Sequence, residues 1–146
     1  MSFSDASAGS THRSVTLNRV AGSRYTVAND RGGELTIGTG AGPEFTPVEL
    51  LLVAIGGCTA IDVDVVTSRR SKPETFTVRV EGEKARDEGG NHVTGIVVTF
   101  GVSFPDSPDG EEARAILPDI VRKSHDRLCA VGRTVELATP IETRIV

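Results

Sequence analysis

Residues 46–58 read TPVELLLVAIGGC, and no other stretch of the 146-residue chain limits the fold as strongly. Thr46 is of N-cap type, Pro47 falls where the first helical residue has no amide to satisfy, and Glu49 stands three after the cap. Together they spell a capping box at a helix start. The nine residues Leu50–Cys58 that follow are apolar on every side, the mark of a helix buried all round. The helix is predicted to run to about Arg70. Its apolar stretch, about ten residues, is short for a bilayer, which needs roughly 20. Gly56 and Gly57 each cost about 1 kcal/mol against alanine inside a helix, so their presence predicts a close backbone approach beside Cys58.

Around this helix the pattern is α+β. Met1 to about Arg13 is rich in Ser, Ala, Thr and Gly and reads as a mobile tail, leaving 14–146 as one domain. Val15–Val20, Arg24–Ala28 and Glu34–Ile37 read as a β-meander, with Asn29-Asp30-Arg31-Gly32-Gly33 as turn chemistry, and Gly38–Phe45 as a loop. After Ser71-Lys72-Pro73, Thr75–Glu83 and Val93–Phe104 read as a hairpin, since Phe76, Val78 and Val80 alternate with polar residues. Asp109-Gly110-Glu111-Glu112 offers a second capping box. Ala113, Ile116, Leu117, Ile120, Val121 and Leu128 recur at helical spacing, with a kink or restart expected at Pro118. That helix is expected to end after Cys129, with Gly132 as terminator, and Thr139–Val146 to close the chain as a strand.

Charge and composition exclude several function classes. A net charge of −4 with only short basic clusters such as Arg69-Arg70 argues against nucleic acid, whose affinity comes from clustered Lys and Arg. No run of eighteen apolar residues and no hydrophobic signal core at the start point to the cytoplasm, without a membrane partner. GxSxG, Walker, HExxH and CxxC motifs are absent. Three histidines, at 12, 92 and 125, make a thiolate–imidazole metal site unexpected, and no cofactor is called for.

Cys58 and Cys129 lie 71 positions apart, which excludes a local redox motif and common zinc-finger spacings. In a reducing compartment two cysteines are catalytic, sensing or inert in preference to a permanent bridge. Spacing does not choose among these. Both also fit as small core residues.

Two long segments add a resemblance. Thr46–Val63, TPVELLLVAIGGCTAIDV, and Ser124–Thr134, SHDRLCAVGRT, resemble the two cysteine motifs of the OsmC/Ohr family, and the order of elements from about Ser14 to Val146 is similar too. The resemblance implies an OsmC-like fold in an intertwined homodimer with its active sites at the subunit interface. It implies that Cys58 attacks an organic hydroperoxide, giving a sulfenic acid and an alcohol, and that Cys129 resolves it as a disulfide. A dithiol such as a lipoylated protein then restores the thiols. The hydroperoxidase branch carries a Glu directly after the motif's proline and an Arg from the N-terminal strands. Here Val48 fills the first position, and Glu49, nine before Cys58, falls on the opposite side of a helix turning about 100° per residue. Glu49 is thus either a capping carboxylate or a displaced active-site one. Arg24 is the first candidate for the Arg that lowers the Cys58 pKa, with Arg19 second. His125 and Arg133 are secondary candidates beside surface roles. The alternative is an OsmC-fold thiol sensor or small-ligand binding dimer without robust peroxidase turnover. A dimer with inert cysteines is the third reading.

Overall fold

The computed structural model describes residues 11–146, so most of the segment read as a tail lies outside it. The architecture is α+β, and the chain divides at Leu50/Leu51 into two compact units.

In the first unit, β1 (Val15–Ala21), β2 (Arg24–Asn29) and β3 (Glu34–Ile37) form an antiparallel meander in that order. The β2–β3 turn is held by the Asn29 side chain, whose Oδ1 accepts the Arg31 and Gly33 amides, both at 2.9 Å. Gly32, at φ 89°, takes the left-handed conformation that such a turn needs. The start of α1 (Pro47–Thr67) closes this unit with the expected capping box: the Thr46 amide donates to Glu49 Oε1 at 2.9 Å and the Glu49 amide to Thr46 Oγ1 at 3.2 Å. The Thr46 amide, then its side chain, holds the Glu49 carboxyl below its ordinary value. A depressed carboxylate contributes stability that is complete above its unfolded pKa, near 4.3, and is lost as pH falls through the folded value. Thermal unfolding followed by circular dichroism is therefore expected to weaken more between about pH 5 and 3 in the wild type than in Glu49→Gln.

In the second unit, β4 (Thr75–Asp87) and β5 (Gly90–Ser103) pair as a long antiparallel hairpin, Thr75 opposite Ser103 and Asp87 opposite Gly90, with a bulge between Glu81 and Glu83. Phe76, Val78 and Val80 share the covered face, and Phe76 meets Phe100 edge to face at 6.4 Å. The body of α1 buries Gly56, Thr59, Val63 and Thr67, one stripe at intervals of three and four residues. A Cβ on Gly56 would collide with Val80 Cγ2, whereas one on Gly57 would meet nothing within 4 Å, so the close approach predicted for this pair belongs to Gly56.

Several expectations need correction. Within this chain α1 is buried on one side only: Val53, Ile61 and Val65 are more than half exposed. It ends at Thr67, and by length and composition it is long enough to cross a membrane, with mean hydropathy 1.9. The short apolar run was too narrow a measure, because the apolar character resumes beyond Thr59. The second long helix, α2 (Pro108–Lys123), is capped by Ser107, whose Oγ accepts the Gly110 amide at 3.1 Å, and not by the acidic box at Asp109. Ser107-Pro108 repeats the Thr46-Pro47 grammar. α2 runs through Pro118 and stops at Lys123, followed by one π-helical turn, Ser124–Leu128. Cys129 is extended, and Gly132 lies inside α3 (Ala130–Glu136) instead of ending a helix. Thr139–Val146 makes no strand pairing among the described residues, because alternation alone supplies no neighbouring strand to complete a ladder.

Candidate active site

The second unit brings the two cysteines together. Cys58 sits at mid-length in α1, one position from the buried Thr59, and Cys129 interrupts the path from α2 to α3. The chain reaches Cys129 through the π-helical turn, closed by the Cys129 amide donating to the Ser124 carbonyl at 2.8 Å. Ser124 is fully buried, and its hydroxyl donates to Asp62 Oδ2 at 2.7 Å, tying the turn back to α1 one helical turn beyond Cys58. An acidic side chain inside an apolar helix requires such a partner.

Both cysteines are free thiols, and each sulfur lies near enough to set the other's proton affinity. Burial first, then the facing Cys129 sulfur, pushes the Cys58 thiol up; the Val131 amide opposes this and the Asp62 carboxylate adds to it. Burial raises Cys129 as well, but the Cys58 thiol, the Gly132 amide, the Thr59 hydroxyl and the Val131 amide outweigh it and bring Cys129 below its ordinary value. Among these donors, the Gly132 N–H reaches Cys129 Sγ at 3.3 Å, and Cys129 acts through its sulfur as the N-cap of α3.

Beside the pair lies a cavity of about 610 Å³, within the range of small-molecule sites. Val93, Ile96, Val98 and Phe100 of β5, Ile55 of α1 and Val121 of α2 make its walls mostly apolar. Cys129 and Thr59 are in the wall, and Cys58 is not. His125, on the π-helical turn, lines the same cavity and bridges Asp126 Oδ1 and Glu136 Oε1, each at 3.0 Å. Its hydrogen bond to Asp126, opposed by slight burial and aided by Glu136, raises its pKa. Arg133 donates to the Asp126 carbonyl at 3.5 Å. Among the described residues no cluster of three His, Cys, Asp or Glu side chains is arranged to hold a metal.

The remaining sequence candidates belong to the first unit. Arg24 pairs with Glu44, Nη2 to Oε1 at 2.7 Å. Arg19 lies on the exposed β1 opposite Tyr25, and Glu49 is engaged with Thr46. Glu44, Thr59, Asp62, Ser124 and the Gly132 amide escaped the sequence reading. Asp62, like Asp64 an acid in a mostly apolar helix, carried a signal that could have pointed to a partner.

The chain has known counterparts. The OsmC-like protein family matches residues 38–144. The chain belongs to that family. An uncharacterized protein of Mycobacterium tuberculosis is 25% identical over 132 residues, covering 89% of this chain and 93% of its own length. Among solved structures, an OsmC-like protein of unknown function from Vibrio cholerae superposes with a TM-score of 0.70 at 16% identity, covering 86% of this chain and 94% of that one. An organic hydroperoxide resistance protein OsmC of Legionella pneumophila superposes at 0.58 with 17% identity, covering 85% and 88%. These two likenesses establish the OsmC fold.

Proposed function

We propose that this OsmC-family protein is a thiol-dependent reductase of organic hydroperoxides, working through a sulfenic acid and a Cys58–Cys129 disulfide. The observation that carries the reading is the meeting of two free thiols beside an apolar cavity. A thiolate takes the terminal oxygen of ROOH and the O–O bond breaks, so that sulfur is oxidised and the organic part leaves as an alcohol. The second thiol displaces hydroxide from the sulfenic acid to form the disulfide. A dithiol reductant, proposed to be a lipoyl group in the cytoplasm, restores both thiols by exchange and becomes a disulfide itself. The working unit is proposed to be a homodimer. Support for that comes from the exposed Val53, Ile61 and Val65 of α1 and from the exposed Ile141 and Ile145 in the alternating carboxy-terminal segment.

The alternative, a thiol sensor or small-ligand dimer without robust turnover, is favoured by Val48, by the commitment of Glu49 to helix capping and by the pairing of Arg24 with Glu44. Treatment of the reduced protein with about one equivalent of cumene hydroperoxide is expected to give a Cys58–Cys129 crosslinked peptide by mass spectrometry. Recovery of both cysteines unlinked at every dose, as free thiols or separate sulfonic acids, rejects the reductase.

A further inference from the structure

Resting on that reading, we propose that the hydrogen bond between Ser124 and Asp62 is the positioning element for the second half of the reaction, holding Cys129 where its sulfur can close the disulfide with Cys58. The path between the two cysteines is short and continuous. Asp62 follows Cys58 by one helical turn, so both side chains rise from the same face of α1. Its Oδ2 accepts the Ser124 hydroxyl at 2.7 Å, and the Ser124 carbonyl in turn accepts the Cys129 amide at 2.8 Å. Two hydrogen bonds on one fully buried residue thus connect α1 to the backbone of Cys129. Among the described residues, Asp62 is the only α1 side chain that shares an oxygen or nitrogen hydrogen bond with another helix or strand. The ion pair of Arg70 with Glu112, at 3.5 Å, lies beyond the end of α1 and near the opposite end of α2.

The need for such a tie follows from the chemistry. Attack on a peroxide requires one sulfur, whereas the condensation requires two within bonding reach. In the condensation the thiol sulfur attacks the sulfenic sulfur, the S–S bond forms as the S–O bond breaks, and hydroxide leaves as water with the thiol proton, so no further oxidant is consumed. A disulfide accepts Cα separations of only about 4.4–6.8 Å. Ser124 also opens the π-helical turn, a rare form among helices. Were that turn to tighten to the α-helical repeat, the residue after it would swing by about 100° around the helix axis, and Cys129 would turn away from α1. Thr59, buried and next to Cys58, acts through its hydroxyl on Cys129, which sets the Cys129 sulfur against the turn of α1 that Asp62 anchors.

Two rates from a single turnover of the reduced protein with cumene hydroperoxide separate the steps: loss of peroxide, and appearance of the Cys58–Cys129 crosslink in acid-quenched samples. Ser124→Ala and Asp62→Ala, each checked for native circular dichroism, should lower the ratio of the second rate to the first by about ten- to a hundredfold, the scale of loss that a misplacement near 1 Å brings. A sulfenic acid trapped by dimedone should accumulate in both. Asp62→Ala also takes a negative charge from beside Cys58. Asp62→Asn loses the same charge but keeps an acceptor oxygen for Ser124, so its ratio should return to near the wild-type value. If Ser124→Ala does not fold, the two Asp62 variants carry the test, because Asp62 is only partly buried and its replacement opens no core cavity. An unchanged ratio in folded Asp62→Ala, a ratio in Asp62→Asn as low as in Asp62→Ala, or an equal fall of both rates overturns the proposal and leaves the reductase reading intact. Absence of any crosslink in the wild type defeats the reductase reading itself, and the positioning role with it.

Discussion

Replacing Cys58 and Cys129 together by serine is expected to lower steady-state reduction of cumene hydroperoxide by a lipoyl dithiol by about 10³-fold or more, as removal of an enzyme's nucleophile does. The reason is specific to sulfur. A serine hydroxyl is not ionised near neutrality, and its oxygen cannot pass through the sulfenic acid and disulfide that carry the electrons. Fold and chemistry separate cleanly in this variant, because serine nearly matches cysteine in size and Thr59 and the Gly132 amide remain to satisfy a hydroxyl at position 129. Circular dichroism should therefore show native secondary structure, and peroxide consumption followed by a ferrous dye assay should fall to the protein-free rate. Retention of more than about a tenth of wild-type turnover would place the chemistry elsewhere in the chain.

The second large effect is on stability and distinguishes two neighbouring glycines. Gly56→Val puts a branched side chain where even a Cβ collides with Val80 Cγ2. Overpacking costs about 1–3 kcal/mol, which for a chain of this length corresponds to a Tm lower by roughly 2–12 °C. α1 must then move away from β4, and Cys58, two positions on, moves with it, so crosslink formation should slow as well. Gly57→Ala meets nothing within 4 Å and gains helix propensity of about 1 kcal/mol, so its Tm should rise by a few degrees. Differential scanning calorimetry on the two variants decides the matter: equal shifts would mean that the Val80 contact does not constrain α1.

What was legible in the chain follows from locality. The meander, the hairpin and the start of α1 are written in short-range chemistry, such as the Asn29 turn and the Thr46–Glu49 box, and they emerge within a few residues of their predicted bounds. The cap of α2 was misplaced because Ser107-Pro108 and the acids from Asp109 onward satisfy the same local rule, and only the Ser107 hydroxyl reaches the Gly110 amide. The break between Lys123 and Ala130 was not legible. Helical spacing continues through Leu128, and cysteine is not among the residues that usually cap a helix. The two cysteines were visible as a pair only through family likeness, since the Ser124–Asp62 hydrogen bond that ties their segments spans 62 positions. The donors around Cys129 include the Gly132 and Val131 amides and the Thr59 hydroxyl, and no side chain announces the two amides.

A helix that begins on a sulfur has a foundation that changes with oxidation. α3 is seven residues long, too short to persist by itself, and its opening amide at Gly132 rests on the Cys129 side chain. In the proposed disulfide that sulfur becomes a poorer acceptor, and the first turn is expected to loosen. The surface formed by residues 130–136 is then expected to be firmer in the dithiol form than in the proposed disulfide.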